Sequence, residues 1–363
     1  MIKLMIMESV IVCDPNMDKT DIKGHKVIVD ENEYLFRLLE IPLDDYEIKL
    51  DDHSVLVKIN AFSCNYRDKG ILNHFLETCK TYSSKDSYLY SFFGSEFVGE
   101  VIEIGKCVKS LQVGDRVIPD NSYPLKVDKK FGGVVTNLAS RRIQIFHDSC
   151  LVKVPDSMSN VEAAAFSLTA STAHSIVSKS NLKIGDKVLV TSLFSNTSLG
   201  CLELLKNIHG IEIYALTTHS KEALSLSEDF RIRHIFKPDD FSDVKSKMNI
   251  SFNVIIDPYS DIHINYLLPY LDYYSRYISC GVSSSRNYDP NFYKFLYNMV
   301  ITNSSFIGNC LGQPNNLKAV INEYNHGRYN IYVDSVYSGE QISDFLNKSF
   351  NKRHFGKVVY SYE

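Results

Sequence analysis

The sequence predicts an α/β protein in which a β-rich segment precedes a doubly wound parallel sheet. Up to about residue 155 the chain consists of short alternating runs, such as 53–61 and 97–105, separated by turns. Such alternation is typical of half-buried strands. From residue 187 onward, apolar strands alternate with helical segments. That order is typical of a parallel sheet with helices on both faces.

The individual elements follow from local patterns. Ser159 precedes a run of strong helix formers that includes Glu162, which predicts a capped helix. The apolar run 187–192 predicts a strand buried on both faces. Later strands are predicted at 211–216, 252–257, 276–281 and 356–360, and helices at 199–207, 220–230, 316–325 and 338–347.

Composition limits the classes of function. The 363 residues are enough for two domains, and 44% hydrophobic with 23% charged residues is the balance of a globular protein. The net charge is −4 and no run of Lys or Arg exceeds two, which argues against a nucleic-acid partner. The apolar N-terminal stretch is predicted as a strand, and we expect no membrane span because no segment offers roughly 18 apolar residues.

The eight cysteines are scattered at 13, 64, 79, 107, 150, 201, 280 and 310. Because no CxxC pair occurs, neither a zinc ribbon nor a dithiol redox motif can form locally. In a chain of this length the pattern predicts reduced thiols and a cytoplasmic protein.

Several short motifs follow one another in a characteristic order, at 55–61 with 64–68, 94–101, 113–117, 162–165, 168–173, 185–190 and 354–359. In this order they resemble the medium-chain dehydrogenase/reductase superfamily, over roughly residues 50 to 360. The resemblance implies a GroES-like β domain (1–155 and 301–363) around a Rossmann domain (156–300), with the active site between them. It also implies a homodimer joined through the edge strand 305–310.

Within that superfamily the sequence favours the zinc-free quinone and enoyl reductase branch, so the predicted site contains no metal. By the resemblance, Asn65 stands where the zinc enzymes have a cysteine, and Ser95 where they have a histidine. Amide and hydroxyl groups are poor substitutes for the thiolate and imidazole ligands of Zn²⁺. Cys64 is one residue out of register, which turns its side chain to the opposite face of an extended segment.

The expected nucleotide-binding turn lacks the glycines of a Rossmann fingerprint. The predicted cofactor-binding residues there are Ser192, Ser195, Asn196, Thr197 and Ser198. In one interpretation their polar groups donate to phosphate oxygens beside the helix N-terminus. In the other, the segment is an ordinary capped helix start and cofactor binding has been lost.

NADPH is the predicted cofactor. No carboxylate ends the second strand of the Rossmann unit, and hydroxyls with a lysine suit a 2′-phosphate. Alternatively, Ser220 only caps the next helix and Lys221 is solvated. The resemblance adds Thr172, near the nicotinamide end, and the end of the strand expected to pass the nicotinamide ring. The further predicted cofactor-binding residues are therefore Thr172, Thr217, Ser220, Lys221, Cys280 and Gly281.

The predicted reaction is hydride addition to a carbon–carbon double bond conjugated to a carbonyl, in an enone, quinone or dehydroamino acid. Asn65, Tyr66 and Arg67 are the predicted catalytic residues, because an amide, a phenol and a guanidinium can stabilise enolate charge. Alternatively, Asn65 keeps a structural hydrogen bond, Tyr66 packs, and Arg67 pairs with Asp68.

Two other functions remain open at the level of sequence. The tyrosine-rich segment 80–93 suits contact with a flexible peptide. It suggests a reductase that converts dehydroalanine in a lantibiotic-type peptide to D-alanine. The glycine-poor turn is instead compatible with a non-catalytic binding protein on the same fold.

Overall fold

The computed structural model describes residues 6–19, 24–42, 50–82, 89–121, 133–219, 223–242, 249–283, 291–313 and 315–363. The chain divides into two compact units. The first combines Met1–Leu168 with Ile331–Glu363, and the second is the continuous stretch Thr169–Asn330. The predicted mixture of a GroES-like β domain and a parallel sheet is confirmed, as the following elements show.

The strands, in chain order, are β1 (Ile6–Cys13), β2 (His25–Val29), β3 (Asn32–Pro42), β4 (Ser54–Ser63), β5 (Tyr90–Ser91), β6 (Glu96–Ile104), β7 (Arg116–Pro119), β8 (Ile143–His147), β9 (Leu151–Lys153), β10 (Lys187–Val190), β11 (Glu212–Leu216), β12 (Ile232–Phe236), β13 (Phe252–Asp257), β14 (Leu271–Ser279), β15 (Ser305–Gly308), β16 (Val333–Ser338) and β17 (Lys357–Ser361).

The helices are α1 (Asp68–Tyr82), α2 (Asn160–Ala163), α3 (Ser167–Ser180), α4 (Asn196–Leu205), α5 (Leu226–Asp229), α6 (Asp239–Ser242), α7 (Ser260–Leu267), α8 (Phe292–Ile301), α9 (Asn316–Asn325) and α10 (Ile342–Phe350). Short 3-10 helices occupy Pro15–Lys19, Asp148–Cys150 and Leu268–Tyr270.

The first unit contains two sheets. The smaller has the order β2-β3-β1-β5, and the larger has the order β16-β17-β4-β6-β7-β9, with β8 also paired to β4. Strand β4 is central: Ser63 lies opposite Glu96 of β6 and opposite Val359 of β17. At its last residue, β4 therefore pairs with a strand that lies about 300 residues later in the sequence.

The core of the first unit is aromatic. Phe62 on β4 is fully buried and packs edge-on against Phe93 and Phe345. It also contacts Tyr360 of β17, whose ring centroid is 5.5 Å away. Such aromatic pairs contribute beyond the area that they bury, so they fix how β4 and β17 meet.

The second unit contains a six-stranded sheet in the order β12-β11-β10-β13-β14-β15, and every neighbouring pair is parallel. This is the strand order of a Rossmann fold. Because all strands run in one direction, the predicted cofactor-binding residues that follow β10, β11 and β14 lie at the same end of the sheet, the end formed by the carboxyl ends of the strands. The predicted parallel, doubly wound sheet is confirmed.

Residues 301–330, predicted as part of the GroES-like β domain, lie in the second unit. The physical reason is strand pairing: Phe306 of β15 lies opposite Tyr277 of β14. Helix α9 then packs through buried Leu317 and Val320. Asn316 at its start contacts the ring of His174 in α3 at 2.6 Å, which ties α9 to the same unit.

Element bounds agree with the sequence where local signals are strong. The predicted capped helix is present, with a reciprocal capping box between Ser159 and Glu162. The strand at 252–257 and the helix at 316–325 have the predicted bounds. The helix predicted at 338–347 begins later, at Ile342, because Ser338 ends β16. Of the helix predicted at 220–230, residues 220–222 lie outside the described residues, and Leu226–Asp229 is helical.

All eight cysteines are free thiols. Among the helices that the structure describes, none is long and apolar enough to span a membrane.

Candidate functional site

Glu96, the first residue of β6, is the centre of a buried polar cluster in the first unit. Its carboxylate is fully buried. Such a charge is tolerated in a protein interior only when it is paired and hydrogen-bonded. Its donors are Leu168 N at 2.6 Å, Lys357 Nζ at 2.7 Å, Ser63 Oγ at 3.1 Å, Ser167 Oγ at 3.3 Å and Asn65 Nδ2 at 3.4 Å. We refer to Glu96, Lys357 and Asn65 as the Glu96 cluster.

Lys357, the first residue of β17, supplies the positive charge of the Glu96 cluster. Its side chain is only 2% exposed. Besides Glu96, its ammonium donates to Oδ1 of Asn65, 292 positions away in sequence. Burying two opposite charges costs desolvation energy that their attraction often only offsets. An apolar pair would therefore be about as stable here, which directs attention to a chemical role for the ammonium.

Asn65, one of the predicted catalytic residues, belongs to this cluster through its side-chain amide. With its Oδ1 bound to Lys357, its Nδ2 lies 3.3 Å from Ser95 Oγ and 3.4 Å from Glu96. Its backbone N–H donates to the carboxylate of Asp68 at 2.8 Å. The amide is therefore held in one orientation from both ends.

Tyr66 and Arg67, the other predicted catalytic residues, are more exposed than Asn65. Tyr66 is 42% exposed, and the Lys69 ammonium lies 5.1 Å from the centre of its ring. Arg67 donates to Asn137 Oδ1 at 3.0 Å and pairs with Asp68 at 3.3 Å. The Arg67–Asp68 pair, expected in the alternative interpretation, is thus present.

Asp68 begins α1 and is fully buried. Burial raises the pKa of its carboxyl group, while the Asn65 N–H, Ser95 and the charges of Arg67 and Lys357 act in the opposite direction. The first unit therefore holds two buried carboxyl groups close to two cationic side chains at one place.

This arrangement does not fit a zinc ion. Asn65 and Ser95 offer neutral oxygen donors, whereas Zn²⁺ in proteins prefers thiolate and imidazole ligands. In addition, the Lys357 ammonium contacts both Asn65 and Glu96, and a fixed cation there would repel a divalent metal.

The turn between β10 and α4 contains no glycine, although one of its residues has a left-handed backbone conformation. Ser192 has a φ of 48°, a left-handed conformation that normally favours glycine. Ser195 is the N-cap of α4, since its Oγ accepts from Ser198 N at 3.1 Å. Ser198 Oγ donates to Thr191 O at 2.7 Å. The hydroxyls of Ser195 and Ser198 are therefore used inside the turn.

Asn196 and Thr197 differ from these serines. Both side chains are half-buried, and neither forms a hydrogen bond with any part of the chain that the structure describes. As residues of the first helical turn, their backbone N–H groups also lack intrahelical acceptors. The first turn of α4 thus offers free donors at the positive end of a helix, where phosphate groups bind in many folds.

Thr172 adds a second observation in this unit. Its Oγ1 is buried and has no hydrogen-bond partner among the described residues. An unpaired buried hydroxyl costs free energy unless something else bonds to it. Together with the free donors of α4, this orphaned hydroxyl fits a dinucleotide cofactor.

The remaining predicted cofactor residues have different surroundings. Thr217 is buried, and its Oγ1 accepts from His219 N at 3.1 Å. Ser220 and Lys221 lie outside the described residues. Burial raises the pKa of the Cys280 thiol to about 12. A side chain on Gly281 would approach Pro258 O to 2.5 Å, so only glycine fits at that position.

Sequence reasoning missed Asp257, the last residue of β13. Its buried carboxylate accepts from Thr191 Oγ1 at 2.7 Å, from the His263 ring at 2.8 Å and from the phenol of Tyr277. Burial, followed by the Asp257 charge, raises the pKa of Tyr277 well above its ordinary value. The sequence did contain a signal for this residue, because Asp257 is a carboxylate at the end of the otherwise largely apolar strand 252–257.

Comparison with known proteins agrees with this description of the two units. Residues 51–156 match the alcohol dehydrogenase GroES-like domain. A quinone oxidoreductase-like protein 2 homolog from Nematostella vectensis is 32% identical over 129 residues, covering 35% of this chain and 32% of that protein. The 2-methylene-furan-3-one reductase of Solanum lycopersicum is 26% identical over 210 residues, covering 57% and 50%. The chain thus spans between a third and a half of these curated relatives.

A thermostable alcohol dehydrogenase from Pyrobaculum aerophilum has the same fold, with a TM-score of 0.72 and 19% identity over 90% of this chain and 96% of that one. The fold is that of the medium-chain dehydrogenase/reductase superfamily. The resemblance inferred from the ordered motifs is therefore confirmed.

Proposed function

We propose that this chain is an NADPH-dependent reductase of a carbon–carbon double bond conjugated to a carbonyl group, without zinc at the reacting centre. The observation that carries the proposal is the buried Lys357 ammonium bound to Asn65 and Glu96. It puts an ammonium group beside a residue that, by the resemblance, replaces a zinc ligand. Preorganised donors and charges of this kind stabilise a developing oxyanion.

In such a reduction the β-carbon accepts a hydride, the carbonyl oxygen takes up negative charge as an enolate, and a proton then adds to the α-carbon. Bound NADPH supplies the hydride. Tyr66, with its phenol on a half-exposed side chain, donates to the carbonyl oxygen. Lys357 binds Oδ1 of Asn65 and so fixes the orientation of the amide. Its Nδ2 exchanges one of its long contacts, with Ser95 at 3.3 Å or Glu96 at 3.4 Å, for the substrate oxygen. Arg67 offsets the enolate charge.

The second unit holds the cofactor in this proposal. The first turn of α4, with Asn196 and Thr197, binds the pyrophosphate, and the Thr172 hydroxyl bonds near the nicotinamide. Thr217, Ser220 and Lys221 receive the 2′-phosphate. The unpartnered Thr172 Oγ1 supports this assignment. The names of two relatives, a quinone oxidoreductase-like protein and a 2-methylene-furan-3-one reductase, support the class of substrate.

A modified peptide is a second candidate substrate. Tyr82 and Tyr90, which flank the segment 83–88 outside the described residues, are 72% and 51% exposed. Exposed tyrosines are adaptable contacts for flexible chains. A dehydroalanine residue carries the same activated double bond, so the donors proposed for an enone serve it equally well.

A different class of function, a non-catalytic binding protein, is favoured by the internal hydrogen bonds of Ser195 and Ser198. These hydroxyls are not available to phosphate without rearrangement. If the whole turn behaves as a capped helix start, the fold has lost its cofactor.

One titration separates the reductase functions from the non-catalytic alternative. The chain has no tryptophan, so NADPH binding can be followed by the fluorescence of the cofactor with little protein background. We expect binding that is tighter for NADPH than for NADH, and oxidation of NADPH when a simple enone or a dehydroalanine peptide is added. Absence of NADPH binding would instead support the non-catalytic alternative.

A further inference from the structure

A second cluster of ligand-type side chains lies in the first unit, at the opposite end of strand β4 from Ser63. His53 immediately precedes β4, His147 ends β8, and Asp148 follows it. The two imidazole rings are stacked, with centroids 5.4 Å apart and planes inclined by 16°. All three side chains are accessible, at 54%, 41% and 17% exposure.

The backbone fixes this grouping. Ser54 lies opposite His147 in the β4–β8 ladder, and the N–H of Asp148 donates to the carbonyl of His53 at 2.9 Å. The strand ends therefore cannot slide apart without losing ladder hydrogen bonds. The backbone positions of the three residues are therefore set before a ligand binds.

The distances match the requirements of a metal ion. His53 Nδ1 lies 3.6 Å from one oxygen of Asp148, and His147 Nδ1 lies 3.0 Å from the other. Two ligands that each lie about 2.1 Å from Zn²⁺ are about 3.0 to 3.4 Å apart at octahedral or tetrahedral angles. One ligand atom from each residue lies within 4.8 Å of the others, so small rotations of exposed rings bring them together.

Ser149 orients the ring of His147. The Nδ1 of His147 accepts the N–H of Ser149 at 3.2 Å and lies 2.9 Å from Ser149 Oγ. The same nitrogen is 3.0 Å from a carboxylate oxygen of Asp148. A nitrogen and an oxygen of the ligand type therefore already face each other at the spacing of two ligands on one metal ion.

We propose that His53, His147 and Asp148 form a surface site for a divalent transition metal of the zinc type, with water completing the coordination. Two imidazoles and one carboxylate are a common ligand set for such an ion, whereas Mg²⁺ and Ca²⁺ prefer oxygen ligands alone. None of the three residues stands at Asn65 or Ser95, so the site is independent of the proposed reductase function.

The test is calorimetric titration of the full chain with ZnCl₂ after treatment with a chelator. We expect one Zn²⁺ per chain, at least tenfold weaker binding in His53→Gln and in His147→Gln, and no binding of MgCl₂ at the same concentrations. His209→Gln changes another exposed histidine and should leave binding unchanged. Melting temperatures without metal should be unchanged in His53→Gln and His209→Gln, whereas His147→Gln also loses the hydrogen bond that His147 Nδ1 accepts from Ser149 N.

A nearby thiol provides the competing explanation. Cys107 is exposed and its Sγ lies 3.8 Å from Asp52, next to His53 in sequence. Cys107→Ser should keep the full affinity, and a Co²⁺ complex should show visible d–d bands without a thiolate charge-transfer band. Loss of binding in Cys107→Ser, or Zn²⁺ affinity that survives both histidine substitutions, would overturn the proposal.

Discussion

At the scale of single residues, Lys357 is the side chain with the largest predicted effect. Replacing it by Met leaves the buried Glu96 carboxylate without its cation, and breaking a buried pair in this way typically costs about 3–5 kcal/mol. We also expect enone reduction to slow by roughly two orders of magnitude, as when one oxyanion-stabilising group is removed. Urea unfolding and steady-state kinetics measure the two effects.

A matched variant separates folding from chemistry at this position. In Lys357→Met/Glu96→Gln the unpaired charge is absent, so much of the lost stability should return. The rate should not return with it, since the ammonium is still missing. Full recovery of both stability and rate would mean that the pair is only structural.

Tyr66 and Asn65 test the proposed donors directly. Tyr66→Phe removes one hydroxyl from a half-exposed side chain, so the fold should be retained. We expect reduction to slow about a hundredfold, which corresponds to roughly 3 kcal/mol. NADPH affinity should not change, because the phenol is not proposed to touch the nucleotide. Asn65→Ala should act in the same direction, and an unaltered rate in the double variant would show that the site is misplaced.

His174 predicts how stability depends on pH. Burial lowers the pKa of its imidazole below the ordinary value, so the unfolded chain binds a proton more readily than the folded one. Stability should therefore fall as the pH drops below about 6.5. His174→Gln should flatten this part of the melting-temperature profile between pH 5 and 8. Exposed His209 serves as the control position, and His209→Gln should leave the profile as it is.

At the scale of elements, the turn before α4 carries a backbone strain that can be measured. A non-glycine residue in the left-handed region costs roughly 1–2 kcal/mol, and Ser192 has a φ of 48°. Ser192→Gly should stabilise the chain by up to about 1 kcal/mol, because the entropy of glycine offsets part of the gain. Ser195→Ala should act in the opposite direction, since losing an N-cap costs about 1 kcal/mol. Thermal unfolding of the two variants measures both.

Local patterns were sufficient to predict the central strands of both units and their order along the chain. The alternation around β4 and the apolar runs at β10 and β13 predict strands because they match the way these side chains are buried. That match depends on each segment alone and not on its distant partners. The Glu96 cluster could not be predicted in this way. Glu96 and Lys357 both lie in motifs that the sequence analysis used, at 94–101 and 354–359, yet their ion pair exists only after β17 pairs with β4.

At the scale of the whole molecule, the edge of the Rossmann sheet predicts self-association. β15 ends the sheet, and its Phe306 is 43% exposed. An unpaired apolar edge strand tends to pair with another chain, so we expect a homodimer joined through 305–310. Phe306→Lys should shift sedimentation toward the monomer at micromolar concentration. Tyr293→Lys, on exposed α8, should not, and a wild-type chain that sediments only as a monomer would contradict the prediction.

The first unit is built from two separate stretches of the chain, 1–168 and 331–363, and this affects how it folds during translation. Residues 169–330 form a continuous unit, which can fold as soon as it leaves the ribosome. The first unit must wait for 331–363. After residue 168 the ribosome has still to add residues 169–363, which at roughly 5–20 residues per second takes about 10–40 seconds. Throughout this time, the carboxylate of Glu96 has no lysine partner, and the central strand β4 has no β17 beside it. The nascent chain therefore exposes an incomplete sheet until residues 331–363 have been made and β17 can pair with β4.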